Sequence, residues 1–185
     1  MWLLAQLGHA DGVTQNTFYE YIKSLRKLGI PFRHGTMKSR AHYDYCDVME
    51  LAVTLSLRAY HVVPDSVLKE IMRHRPQLHR LYRKAYADRQ AGRGRPVCFT
   101  PNQGPPIKLQ GCFLDLDIQF CGGQLVKFGP PRLLPPKDAL VIAAQRMLSL
   151  ETSLPFGLSA LAERVVALAL SPPRMRRLSM GKGGR

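Results

Sequence analysis

Acidic residues are scarce in this sequence. Its 185 residues include 13 Asp and Glu against 27 Lys and Arg, which gives a formal net charge of +14. The excess of positive charge runs through both halves of the chain, so it does not come from a detachable tail. Such a balance favours a polyanionic partner, with nucleic acid ahead of an anionic membrane.

Paired cysteines and long apolar runs are also missing. No two of the four cysteines have CxxC spacing, which argues against a zinc knuckle, and without a secretory signal we expect no disulfide framework. They are Cys46, Cys98, Cys112 and Cys121. No run of about 18 apolar residues exists, so we expect no membrane-spanning helix. The first residues lack the basic segment of a secretory signal, and we therefore expect a cytoplasmic protein with reduced thiols.

The motifs of common enzymes are absent as well. The sequence has no Gly-rich phosphate loop, no Gly-x-Ser-x-Gly and no paired catalytic carboxylates. Asp115 and Asp117 share one face of a predicted strand, which leaves a metal-dependent nuclease as the least favoured hypothesis. The solvent-facing side of that strand is the favoured interpretation. We predict no catalytic residues, no metal, no cofactor and no enzymatic activity.

The stretch TQNTFYEYIKSLRKLGIPF, residues 14–32, predicts an amphipathic helix. Its apolar residues recur at the spacing of one helical face and are Phe18, Ile22, Leu25 and Leu28. Thr14 fits the N-cap position, while Gly29 and Pro31 end the helix. A short helix within residues 2–10 precedes it. Two helices joined by a tight turn predict a helix-turn-helix.

A basic hairpin, or wing, is predicted over residues 30–45. Two short β-like pieces flank a Gly-containing loop, and from Lys23 to His42 the chain has six Lys and Arg and no acid. A flexible basic loop is the alternative interpretation. Asp44 or Asp47 fits the cap of the helix that follows.

Two families share parts of this pattern. Thr17, Leu25-Arg26 and Gly29-Ile30-Pro31 resemble the winged helix-turn-helix of DeoR-like repressors. Tyr43–Val48 and residues 51–71 are similar to the wing tyrosine and the following helix pair of MerR-type regulators. The resemblance covers about residues 3–90 and implies DNA binding and dimerisation. The metal-sensing MerR-type members use cysteines near their dimerisation helix, and residues 75–90 contain none, so the resemblance implies no metal or effector chemistry here.

The predicted DNA contacts fall on the second helix and on the wing. The N-terminal part of such a helix enters the major groove, where amides and cations read bases. The predicted base-reading residues are Gln15, Asn16, Tyr19 and Lys23. The predicted backbone contacts are Arg26, Lys27, Arg33, Lys38, Arg40, His42 and Tyr43. A solvated helix face and a buried wing tyrosine are the alternatives.

A dimer seam is the remaining site prediction. The apolar side of the predicted helix at 75–90 carries Leu78, Leu81, Tyr82 and Ala85. The MerR-type resemblance implies that this side meets a second copy across a two-fold axis. Packing on residues 45–72 or on the C-terminal half remains an equal alternative.

The predicted organisation has four regions. They are a winged helix-turn-helix domain with a helical extension (1–90), a linker (91–96), a β-hairpin with helices for oligomerisation, a partner or an effector (97–170), and a basic disordered tail (171–185). Apolar and polar residues alternate over 112–120, which predicts one half-buried strand leading through CGGQ into a hairpin. Helices are predicted at about 136–150 and 157–170. The fold class is therefore α+β.

These patterns predict a sequence-specific, DNA-binding transcriptional regulator that acts as a homodimer on double-stranded DNA. A phage or plasmid replication, partition or nucleoid-type factor is the alternative that keeps the same DNA-binding module. A small-molecule effector is left open. No membrane partner is expected.

Overall fold

The computed structural model describes residues 4, 12, 14–31, 43–59, 65–92, 97–99, 107–121, 124–148 and 155–170. Over these ranges the chain forms helices and short antiparallel strands, which confirms the predicted α+β class. Leu4 is helical and buried. The rest of the first predicted helix, the wing loop and the basic tail lie outside the described residues.

Six helices lie within the described residues. In chain order they are α1 (Gln15–Lys27), α2 (Tyr45–Ala59), α3 (Asp65–Arg73), α4 (Arg75–Gln90), α5 (Pro136–Leu148) and α6 (Leu158–Leu170). The helices predicted near 75–90, 136–150 and 157–170 are therefore confirmed.

The strands are short and antiparallel. They are β1 (Val97–Phe99), β2 (Ile107–Leu109), β3 (Phe113–Asp115), β4 (Ile118–Cys121), β5 (Gln124–Phe128), β6 (Arg132–Leu134) and β7 (Phe156–Gly157). β1 pairs with β2, β4 pairs with β5, and β3 lies between β6 and β7. The hairpin predicted across CGGQ is confirmed, since β4 and β5 are its two strands.

The single strand predicted over residues 112–120 is wrong. β3 ends at Asp115, β4 begins at Ile118, and the two strands belong to different sheets. Asp117 lies between them with a φ of 45°, in the left-handed region that few residues other than glycine adopt. Its backbone amide donates to Asp115 Oδ1 at 3.2 Å, so the chain turns where alternation alone predicted a straight run.

The helix α1 forms where its sequence predicts, with one correction. Thr14 caps it, and its Oγ1 accepts a hydrogen bond from the Thr17 amide at 3.2 Å. Three predicted core residues are buried, namely Phe18, Ile22 and Leu25. Leu28, also predicted for this face, is 43% exposed, because the helix ends one residue earlier and the chain turns at Gly29 with a φ of 87°. Ile30 takes its place in the core and is fully buried.

The helix α2 lies at the centre of the molecule. Its N-terminus carries a reciprocal cap, in which the amides of Asp44 and Asp47 each donate to the other's carboxylate, at 3.0 and 2.8 Å. Side chains on nearly every side of it are buried, among them Cys46, Met49, Glu50, Leu51, Ala52, Val53, Thr54, Leu55 and Leu57. A helix buried all round needs partners on several sides, and α4 and α6 both contact it.

One hydrophobic cluster joins the N-terminal and C-terminal regions. Phe18 of α1, Val53 of α2, Leu78 of α4 and Leu158 of α6 belong to it. The helix α6 also packs against α4 and β3. The C-terminal region thus folds back onto the first region and completes its core.

That packing overturns the predicted dimer seam. Leu78, Tyr82 and Ala85 have no exposed surface, and Leu81 is partly buried against the same core. The Ser159 hydroxyl of α6 donates to the Ala85 carbonyl oxygen at 3.3 Å, so the chain itself covers this side of α4. A second copy has no access to Leu78, Tyr82 and Ala85, and the alternative of packing within the chain is the one found.

Candidate nucleic-acid interface

The outward face of α1 collects polar and cationic side chains. The predicted contact residues that the structure exposes there are Asn16, Tyr19, Lys23, Arg26 and Lys27. At about 100° per residue, Asn16, Glu20, Lys23 and Lys27 form the centre of this face. Tyr19 and Arg26 form one flank, while Thr17, Tyr21 and Ser24 form the other. The helical position of Gln15 is described, but its side chain is outside the described part of the structure.

The buried side of α1 fixes the orientation of that face. Phe18, Ile22 and Leu25 lie in the central cluster, so the helix cannot rotate without exposing them. At its C-terminal end the Ile30 amide donates to the Leu25 carbonyl oxygen at 2.9 Å. The exposed side chains therefore project from a helix that is held along its inner side and at its C-terminal end.

Glu20 is an acid at the centre of this cationic face. Its carboxylate lies 3.2 Å from Lys23 Nζ, and the two side chains are 68% and 60% exposed. An exposed pair of this kind contributes at most about 1 kcal/mol to stability. Within the described residues neither Arg26 nor Lys27 pairs with a carboxylate. The face therefore keeps a net positive charge.

The predicted wing divides between described and undescribed residues. Arg33, Lys38, Arg40 and His42 lie outside the described residues. Tyr43 is described, and it packs against the core with its hydroxyl oxygen buried. The alternative of a buried wing tyrosine is the one found, so Tyr43 is withdrawn as a phosphate contact.

A buried ion network holds the C-terminal end of α1 against α2 and α4. Glu50 is 1% exposed and accepts hydrogen bonds from Arg75, with Nη2 at 2.7 Å and Nε at 3.0 Å. Arg75 Nη2 also donates to the Gly29 carbonyl oxygen at 2.5 Å. His79 Nε2 lies 3.1 Å from the Glu50 carboxylate. The position of Glu50 between the apolar pairs Val48-Met49 and Leu51-Ala52 is a sequence signal that could have indicated this network, since a buried carboxylate requires a cationic partner.

Asp115 and Asp117, the two aspartates of the nuclease hypothesis, belong to a second ion network. Asp115 is buried, and its carboxylate accepts from Arg132 Nε at 2.8 Å and from Arg146 Nη1 at 2.5 Å. Asp117 accepts from Arg146 at 3.1 Å and pairs with Lys127 at 2.6 Å. The interpretation that both aspartates lie on the solvent-facing side of a strand is therefore wrong for Asp115, because arginines from β6 and α5 cover its carboxylate.

The electrostatics of Asp115 fit a structural role. Burial raises the pKa of the carboxyl, but hydrogen bonds from Arg146 and Arg132 outweigh burial and hold the pKa below its usual value. The carboxylate is thus ionised and neutralised by cations. Among the described residues no group of three His, Cys, Asp or Glu side chains is arranged to hold a metal ion.

A small cavity of about 240 Å³ lies between α4, β6 and the start of α5. It is lined by Lys84, Asp88, Gly111, Cys112, Leu133, Leu134, Pro135 and Pro136. Burial raises the pKa of the Cys112 thiol, whose Sγ lies 2.9 Å from the Ser159 hydroxyl. The cavity is smaller than the usual ligand pocket of about 300–1,000 Å³, and we assign no effector to it.

No protein-family model, curated protein or solved structure matches this chain. Among the described residues, none of the helices has both the length and the apolar character needed to cross a bilayer. Only the chain's own residues and their arrangement therefore bear on its function.

Proposed function

We propose that the protein binds double-stranded DNA through the outward face of α1. The observation that carries the proposal is the division of this helix into two sides. One side is buried in the core, and the other presents an amide, a phenol and three cations to solvent. Amides and cations on one exposed helix face are the groups that read base edges and neutralise phosphates.

The positions along α1 divide the proposed roles. Asn16, Tyr19 and Lys23 lie in its first three turns, the part of a recognition helix that approaches bases. Arg26 and Lys27 lie in its last turn, where they fit the phosphate backbone. Gln15 keeps its proposed base-reading role by its place at the first helical position. Arg33, Lys38, Arg40 and His42 keep their proposed role as wing contacts.

A winged helix-turn-helix regulator is the particular class we propose, as the DeoR-like and MerR-type resemblance implies. The net charge of +14 supports a nucleic-acid partner. A homodimer on a repeated site remains part of the proposal, but its contacts must differ from the apolar side of α4. A replication, partition or nucleoid-type factor is the second candidate, because the same face would serve general DNA coating.

Enrichment of genomic fragments by the purified protein separates these candidates. We expect wild type to enrich a defined motif, Asn16→Ala and Lys23→Ala to change the preferred bases, and Arg26→Gln and Lys27→Gln to weaken all fragments alike. Uniform enrichment by wild type would favour the coating function. If none of the four substitutions alters binding, the assignment of α1 is overturned. The exposed Arg164→Gln is the control for the loss of one charge.

A further inference from the structure

Arg58 is a cation beside α1 that the sequence pattern did not single out. It lies in the last turn of α2 and is exposed. Its guanidinium carbon lies 3.6 Å from the centroid of the Tyr21 ring on α1. This is a cation–π contact between the two helices. Within the described residues Arg58 pairs with no carboxylate.

The contact places Arg58 on the flank of α1 that has no cation of its own. That flank carries Thr17, Tyr21 and Ser24, all of them uncharged. Arg26 stands on the opposite flank. The major groove is about 12 Å wide, so a helix lying in it has a phosphate backbone on each side. By itself, the α1 helix supplies a flanking cation for only one of those two backbones.

We infer that Arg58, held on the ring of Tyr21, is the phosphate contact for the second backbone. The inference rests on the proposed function of α1. Stacking covers one face of the guanidinium plane and leaves its N–H edges free, and those edges are the groups that bind a phosphate in bidentate geometry. The ring also restricts the side chain before DNA arrives, which lowers the entropy lost on binding.

Arginine, rather than any cation, suits this position. A lysine ammonium would keep the charge at this site, but it has no planar face to stack on the ring and no fork to match a phosphate. The tyrosine acts here through its ring and not through its hydroxyl. The need for a guanidinium at position 58 and for an aromatic ring at position 21 distinguishes this contact from a general effect of surface charge.

Four variants test it with a short mixed-sequence DNA duplex, titrated by fluorescence anisotropy over a series of salt concentrations. We expect Arg58→Gln to weaken binding about tenfold and to lower the log–log salt slope by about 0.9. Arg58→Lys and Tyr21→Leu should weaken binding while keeping the slope. Tyr21→Phe should bind like wild type. Arg164→Gln, on α6, removes one exposed charge from another helix and serves as the matched control.

Two results would overturn the inference in different ways. If Arg58→Gln and Arg164→Gln have the same affinity and slope while Lys23, Arg26 and Lys27 variants weaken binding, Arg58 is no phosphate contact and the proposed function stands. If wild type shows no salt-dependent binding to the duplex, the inference and the proposed function fail together. Circular dichroism melts of each variant establish that the fold is intact.

Discussion

Two glutamates on consecutive helices show how differently this molecule uses charge inside and outside. Glu50 of α2 is fully buried and meets Arg75 and His79, and through Arg75 it reaches the backbone of Gly29. Glu20 of α1 is mostly exposed and meets only Lys23 among the described residues. The buried acid is surrounded by partners, whereas the exposed face around Glu20 has more cations than acids.

Buried charges in this molecule hold the fold, whereas exposed charges are available to a ligand. Moving a carboxylate out of water costs several kcal/mol unless hydrogen bonds and a cation offset the loss of hydration. Glu50 and Asp115 both meet this condition. Exposed cations need no such partner, because water solvates them. The exposed cations, some of them on α1, are therefore the charges that remain available to a ligand.

Removing the buried acid should give the largest effect on stability. Glu50→Ala leaves Arg75 near the core without its carboxylate, and we expect a loss of about 3–5 kcal/mol in the free energy of unfolding. Urea unfolding followed by circular dichroism measures it. The matched change Glu20→Ala should alter stability by at most about 1 kcal/mol. Equal losses in the two variants would contradict the distinction between buried and exposed acids.

Asp115→Asn should give a smaller effect that depends on pH. Asparagine keeps an acceptor oxygen but loses the charge facing Arg132 and Arg146, so we expect a loss of about 1.5–3 kcal/mol at neutral pH. The pKa of Asp115 is lowered in the folded protein, so its stabilisation is present above the unfolded pKa of about 3.9 and is lost as pH falls through the folded value.

Urea unfolding at several pH values tests that sign. The difference in the free energy of unfolding between wild type and Asp115→Asn should shrink as the solution is acidified below about pH 4. A difference that grows on acidification would show that the folded protein raises this pKa instead. Asp138→Asn, at an exposed aspartate of α5, is the control.

Local patterns in the sequence predicted the helices better than they predicted the packing between them. The spacing of Phe18, Ile22 and Leu25 fixes the inner side of α1, because helical periodicity is a property of neighbouring residues. The partner of α4 was not predictable in this way. Its apolar side fits a second copy as well as it fits α6, and only the three-dimensional arrangement decides between them.

The same limit applies to the charged residues. The alternation of apolar and polar residues predicted that Asp115 faces solvent. This prediction failed because Arg132 and Arg146, which cover Asp115, come from elements later in the chain. Arg58 gave no signal for a similar reason, since its contact with Tyr21 joins two helices. Candidate site residues within α1 followed from periodicity, whereas Arg58, contributed by α2, required the fold.

The salt dependence of DNA binding is the sharpest test of α1 as the DNA-binding helix. The triple variant Lys23→Gln, Arg26→Gln, Lys27→Gln is compared with Lys69→Gln, Lys137→Gln, Arg164→Gln, which removes three exposed charges from other helices. At about 0.9 per neutralised phosphate, we predict that loss of the two phosphate contacts Arg26 and Lys27 lowers the log–log slope of the first variant by up to about 1.8 and that the second variant leaves it unchanged. Equal slopes for the two triple variants would contradict the assignment of α1 as the DNA-binding helix.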